Sequence, residues 1–317
     1  MSAQLRVLEP GMLTTVQDLG RSGYSSLGVA IGGAADSFSL RVGNRLVGNS
    51  DSAAGLEFTL TGGLFEFEKD TAIAVTGGIA DALRNESPFP MWSPIHVRAG
   101  ERVRIGPVRR GVRVYLSIAG GIEVKDVLGS ASTHLAAGFG GHEGRALRSG
   151  DALNYRESAE QTSDIDARVL GTDLLHRRTI RAIEATLEGH FKREAAESFW
   201  ASEFAVSNHS DRAGIRLEGA DEIQSLCHGR MTSEGMTHGV IEVPENGQPI
   251  VLGVDHPTTG GYPVIGCVAS VDLPILGQLR PREKVRFERV SVNDARKLLI
   301  EREAELGRVL PQRPELS

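Results

Sequence analysis

Cysteine is nearly absent: Cys227 and Cys267 are the only two in 317 residues. A disulfide framework or a zinc site needs more ligands at close spacing than two thiols provide, so both are expected unpaired in a reducing compartment. Long apolar runs are also missing. No stretch approaches the roughly 20 residues that span a bilayer. The opening residues Met1, Ser2, Ala3, Gln4, Leu5 and Arg6 lack a charged region followed by an apolar one, so a cytoplasmic location is expected. Nor is there a basic stripe. With Lys+Arg 35 against Asp+Glu 41, the formal charge is −6 and spread without long runs of one sign, which argues against a phosphate-neutralising nucleic-acid surface. The chain has no GxxxxGK[ST] loop for ATP and no His-Glu-x-x-His for zinc. The glycine-dense residues 138–144 (GFGGHEG) do not form the first turn of a βαβ unit, which excludes a Rossmann site.

Glycine is what the chain has in excess. Its 38 glycines are about 12% of the residues, where roughly 7% is usual. With 40% hydrophobic residues and no three-residue glycine period, neither disorder nor collagen fits, and a turn-rich fold follows. The length allows two domains or one large one.

The apolar patterns are mainly β. Residues 64–68 (LFEFE) partly alternate, 71–75 (TAIAV) run apolar to Gly77 and Gly78, and 103–105 alternate before Gly106 and Pro107. Residues 112–118 (VRVYLSI) then enter Gly120 and Gly121. Short strands at this spacing suit a sandwich or barrel. One helix is expected early, with Asp36 as N-cap, Phe38, Val42 and Leu46 on one stripe and Gly48 as its stop. Asn44 lies on another stripe with Leu40, Gly43 and Val47, as a hydrogen-bonded core amide or a ligand contact.

Residues 155–168 turn polar and acidic, the composition of a linker, which separates an expected first domain, 1–160, from a second, 161–317. A helix over about 186–200 would bury Leu187, Phe191, Ala195 and Phe199. Strands follow near 214–217, 239–243, 249–254, 264–269 and 284–288. A final helix can be capped by Ser291 or Asn293 and would bury Ala295, Leu298, Leu299 and Leu306.

Four loops carry more polar chemistry than turns require. In residues 14–23, Asp18 is expected to pair with Arg21 and fix the loop. Residues 129–134 with 138–145 offer backbone N–H groups that can hold an anion or an amide oxygen. In residues 208–217, either Arg212 or Arg216 can take a carboxylate in its bidentate fork. In residues 255–263 (DHPTTGGYP), a strand ends in hydroxyls, two glycines and a tyrosine, which suits a small polar ligand against backbone amides. The histidines of these loops, His134, His142, His209, His238 and His256, are not at metal-ligand spacing, so no metal is expected.

At these stretches the chain resembles the family of the C subunit of bacterial 5-oxoprolinase, also described as allophanate hydrolase subunit 2-like or biotin-dependent carboxyltransferase family proteins. The resemblance is carried by residues 11–23 (GMLTTVQDLGRSG), 44–49 (NRLVGN), Leu56 and Glu57, and 115–121 (YLSIAGG). It continues through 129–151, 211–219 (DRAGIRLEG), 243–252, 258–263 (TTGGYP), Asp272, Leu273 and 278–281 (QLRP).

The resemblance implies a mainly β chain of two cyclophilin-like β-barrel lobes that pairs with a smaller B-type subunit. With an A-type subunit, such an assembly looks like the ATP-dependent amide hydrolase that opens 5-oxo-L-proline to L-glutamate. ATP is then expected elsewhere in the assembly, and no cofactor on this chain. Fused in one chain, the same unit resembles the carboxyltransferase domain of urea carboxylase, where carboxybiotin and urea meet. Other members look like non-catalytic regulators that oppose a kinase inhibitor formed by the B partner. Asn44, Arg212, Thr258, Thr259, Gly260, Gly261 and Tyr262 are expected to bind substrate in a cleft between lobes. Asn44 and the backbone of 258–261 would position the amide and Arg212 would hold the carboxylate; no general base is identified. Three positions depart from the family pattern. Val264 stands where a basic residue is frequent, Glu242 replaces a usual glutamine, and residues 183–186 (IEAT) replace a Gly-Pro. A lost base and a gained carboxylate change the charge offered to an anionic substrate.

Overall fold

The computed structural model describes residues 2–157, 165–219, 222–227 and 231–312. Its contacts divide the chain into two units: Met1–Arg21 with Gly32–Leu175 and Glu305–Ser317, and Ser22–Ile31 with His176–Ala304. Both are built on β-sheet, one a 10-stranded sheet and the other a closed barrel of seven strands. The expected β-rich, two-barrel class is what the chain adopts. Half of the expected linker, residues 158–164, lies outside the described residues.

The first unit is organised around two long antiparallel strands, Thr71–Arg84 and Arg102–Ile118. The strand expected to stop at Gly77 runs on to Arg84, because Gly77 takes φ +92° and the pairing absorbs the kink in register shifts between Gly77 and Ala82. A side chain at Gly77 would collide with the Arg113 carbonyl, about 2.5 Å from its Cβ position, so glycine is what permits the bulge. Around this pair, Leu5, Phe58, Phe65, Phe67, Ile73 and Leu116 are all fully buried. The early helix spans Ser37–Leu46, and the Asp36 carboxylate caps it by accepting from the Ser39 N–H at 2.9 Å, as its sequence predicts.

The barrel of the second unit comprises the strands Thr179–Glu184, Glu203–Val206, Gly214–Gly219, Val240–Glu242, Ile250–Leu252, Val264–Val268 and Lys284–Arg289. Thr179–Glu184 pairs parallel with Lys284–Arg289 and antiparallel with Val264–Val268, which closes the ring. The helix expected from 186 starts later, at Arg193–Ala201. Leu187 ends instead in a turn, its carbonyl accepting from the N–H groups of His190 and Phe191, and Gly189 there takes φ +77°. The buried stripe becomes Ala196 and Phe199, with Phe199 stacked on Phe287 at a centroid distance of 5.0 Å. The final helix, Val292–Val309, is capped by Ser291, whose hydroxyl accepts from the Asp294 N–H at 3.1 Å.

Candidate functional site

Alternation along the barrel strands assigns each side chain a face. Ile215, Val251 and Ile241 lie opposite one another on three neighbouring strands; all three are buried and point into the barrel. The next row outward is Arg216, Ile250 and Glu242, with Val264 beyond a bulge at Ile241 and Glu242. Arg216 is exposed at the end of that row. The same outer face carries Val240 and Leu252, which cluster with Met236, Ile250, Val264 and Cys267. One carboxyl, Glu242, is thereby set in an apolar surface.

A two-stranded ribbon covers part of this face. Glu234–Gly235 pairs with Thr259–Gly260. The Met236 N–H donates to the Thr258 carbonyl and the Met231 N–H to that of Gly261, both at 2.9 Å. Gly260 meets the barrel: a Cβ there would lie 2.8 Å from the Met236 Cε and 3.1 Å from the Glu242 Oε2. Glycine at this position lets the ribbon backbone approach the carboxyl closely. Thr259 is exposed, and Thr258, Gly261 and Tyr262 are half-buried.

Glu242 is only 8% exposed, and among the described residues its carboxyl has no hydrogen-bond or ion-pair partner. Burial pushes its pKa above the ordinary carboxylate value, and the charge of Arg216 opposes the shift without cancelling it. Burial likewise raises the Cys267 thiol. The sequence signal for Glu242 was a single carboxylate within an otherwise apolar run, Val240, Ile241, Glu242, Val243; alternation alone could not tell a solvated outer face from a covered one.

At the exit of the Ile250–Leu252 strand, Arg212 is engaged by Asp255. Its Nε lies 2.6 Å from Oδ2 and its Nη2 3.1 Å from Oδ1, with the two side chains 9% and 10% exposed. Of the two arginines left open by the sequence, Arg212 is therefore the one whose fork grips a carboxylate, and that carboxylate is intramolecular. The turn is built to hold the pair. The Asp211 carboxylate accepts from the N–H groups of Ala213 and Gly214 at 2.8 and 3.1 Å. The Asp255 N–H donates to the Arg212 carbonyl at 3.0 Å, and Gly253 packs so closely on that carbonyl that a Cβ would overlap it.

Two imidazoles adjoin this pair. His256 is 3% exposed; its Nδ1 lies 2.8 Å from the Pro257 carbonyl, which assigns the ring proton to Nδ1, and among the described residues the buried Nε2 has no partner. His238 is partly exposed, and burial first, then the charges of His256 and Arg212, lower its pKa to about 4. Among the described residues no three His, Cys, Asp or Glu side chains are grouped to hold a metal ion.

Arg212, Thr258, Thr259, Gly260, Gly261 and Tyr262 all belong to the second unit, and Asn44 to the first. Asn44 is fully buried; its Nδ2 donates to the carbonyls of Ala53 at 2.7 Å and Asp51 at 3.3 Å, and its Oδ1 accepts from Asn49 at 3.3 Å. It pins the chain that leaves its helix. The Asp18 loop has a comparable internal purpose. The Asp18 carboxylate accepts from the Ser130 and Ser132 hydroxyls and from the N–H groups of Ala131 and Gly20, so the anion held by the glycine- and hydroxyl-rich loop is the protein's own. Arg21 donates to the carbonyl of Ser132 and lies over the Phe139 ring at 4.8 Å.

A family model described as carboxyltransferase domain, subdomain A and B, matches residues 27–289. The C subunit of 5-oxoprolinase from Escherichia coli (strain K12) is 38% identical over 293 residues, 92% of this chain and 93% of that protein. The corresponding C subunit from Haemophilus influenzae is 34% identical over 304 residues, 96% of each chain. Urea amidolyase of Saccharomyces cerevisiae is 32% identical over 317 residues, 93% of this chain and 17% of that protein. The crystal structure of Kluyveromyces lactis urea carboxylase matches with a TM-score of 0.90 at 31% identity, over 99% of this chain and 30% of that one. The chain therefore spans less than a third of these urea enzymes.

Proposed function

The chain belongs to the carboxyltransferase-domain family, subdomain A and B, and we propose from that premise that it is the C subunit of an ATP-dependent 5-oxoprolinase. With A- and B-type subunits in the cytoplasm, it would open 5-oxo-L-proline to L-glutamate. The observation that carries this reading is the near end-to-end match with the C subunits of two 5-oxoprolinases. The site geometry supports it. An apolar outer face beside a two-stranded ribbon, with one uncharged-prone carboxyl and no basic side chain at Val264, suits a small amide. In this reading Thr258, Thr259, Gly260, Gly261 and Tyr262 contact the substrate. Arg212, held by Asp255, fixes the backbone around which the site is built. ATP binds elsewhere in the assembly.

The test is turnover by the three co-expressed proteins, read as glutamate released per ADP formed. Release that needs ATP, 5-oxo-L-proline and this chain together supports the reading; release that is unchanged when this chain is withheld, or absent with all three present, overturns it. The Kluyveromyces lactis match favours a second reading, carboxyl transfer to a urea-like amide, and biotin would enter only there. Bicarbonate- and biotin-dependent consumption of urea, without glutamate release, would select it.

A further inference from the structure

Glu242 is the chemical anomaly of the second unit. It is a carboxyl 8% exposed, with no partner among the described residues, surrounded by Ile250, Val264, Leu252 and Cys267 on one side and by the Gly260 backbone on the other. A buried ionisable group left without partners costs stability, commonly several kcal/mol when charged, so a fold that places one here at the edge of a half-exposed apolar face retains it for some use. Among the described residues its charged or titratable neighbours are few. Arg216 stands at the end of its row, Cys267 lies on the adjoining strand, and Glu234 and Tyr262 belong to the ribbon and the turn that follows it.

We propose that Glu242 is a specificity-determining residue whose carboxyl pairs edge to edge with an amide presenting its N–H and C=O on the same side, bound against Ile250, Leu252 and Val264 beside Gly260. The chemistry selects the substrate class. A neutral carboxyl offers one O–H donor and one carbonyl acceptor side by side, the complement of a lactam or a primary amide. A trans peptide bond points its N–H and C=O in opposite directions and cannot form both bonds. An ionised carboxylate would accept from the N–H but repel the amide oxygen. Burial favours the neutral form, so the pairing is present at low pH and is lost as pH rises through the elevated pKa of Glu242. This inference rests on the proposed function only for the choice of a cyclic amide as substrate.

The experiment uses the full chain and two small probes, 2-pyrrolidinone, a lactam with a free N–H, and N-methyl-2-pyrrolidinone, which lacks it. Binding is followed by NMR titration between about pH 5 and 8, upward from the usual carboxyl value near 4.3. The free lactam should bind about threefold to tenfold more tightly than its N-methyl analogue at the acid end, as one hydrogen bond gained or lost implies, and the preference should weaken as pH rises. Glu242→Gln, whose amide also offers a donor beside an acceptor, should keep the preference and lose its pH dependence. Glu242→Met should lose the preference, with circular dichroism confirming the fold; if that variant fails to fold, the Gln variant still decides. No binding of 2-pyrrolidinone by the wild type, no preference over the N-methyl probe, or an unchanged pH dependence in Glu242→Gln would each overturn the inference. Binding with this signature but no glutamate release by the ternary assembly would remove the proposed reaction and leave the inference standing. Full turnover by an assembly carrying a folded Glu242→Met would do the reverse.

Discussion

Replacing Arg212 with Met removes the guanidinium and leaves the Asp255 carboxylate where it is, in a turn that Gly253 and the Asp255 N–H hold in place. Two charge-assisted contacts at 2.6 and 3.1 Å disappear, and both side chains are about nine-tenths buried. An exposed pair would cost at most about 1 kcal/mol to break. A buried pair deprived of one partner costs about 3–5 kcal/mol, because the surviving charge stays desolvated. At about 2–4 °C per kcal/mol for a domain of this size, the melting transition of the second unit should fall by roughly 6–20 °C in Arg212→Met. Adding Asp255→Leu removes the stranded charge and should recover most of that loss, since a hydrophobic replacement of a buried pair is often close to neutral. Calorimetry on the wild type, both single variants and the double variant closes the cycle. A loss below about 1 kcal/mol in Arg212→Met, or a double variant as unstable as the summed singles, would refute the assignment of this pair as the support of the turn.

Other consequences are independent of that pair. Asp18→Ala strips four donors of their acceptor, the Ser130 and Ser132 hydroxyls and the N–H groups of Gly20 and Ala131, and should lower unfolding free energy in urea by about 3–4 kcal/mol; a loss under about 1 kcal/mol would contradict the buried-anion account of that loop. His238 is held neutral in the fold with a pKa of about 4, against 6.5 for the ordinary side chain. The unfolded chain therefore takes up the proton first, and stability should be steady above about pH 6.5 and fall as pH drops toward 4. For a partly exposed ring the total is at most about 2 kcal/mol. Subtracting the urea-unfolding profile of His238→Gln should isolate that fall, and identical profiles would dispose of it.

The sequence made the barrels legible because strand alternation, glycine stops and a capped helix are local signals. Asp36, Ser291 and the Val264–Val268 strand could be read from a few neighbours each. What escaped reading depended on distant partners. Residues 71–84 form one strand because Gly77 can kink against Arg113, and nothing within the strand announces that. The helix expected from about residue 186 starts later because a glycine turn intervenes. Asp18 was expected to face Arg21, its nearest cation in sequence, but besides the Gly20 N–H its donors are hydroxyls and an amide more than 100 residues away. At the candidate site, the loop at 258–262 was visible from its composition. The partner of Arg212 lies 43 residues away, and the covering of Glu242 comes from a ribbon that only the folded register brings over it.

The proposed place for 5-oxo-L-proline on this chain is the ribbon and the outer barrel face beneath it. Hydrogen exchange of the assembled A-, B- and C-type proteins, with and without 5-oxo-L-proline, reads that directly. Backbone exchange should slow on ligand addition at residues 231–236, 240–242 and 258–262. Protection confined to other segments of this chain, or to the A- and B-type subunits alone, would contradict it.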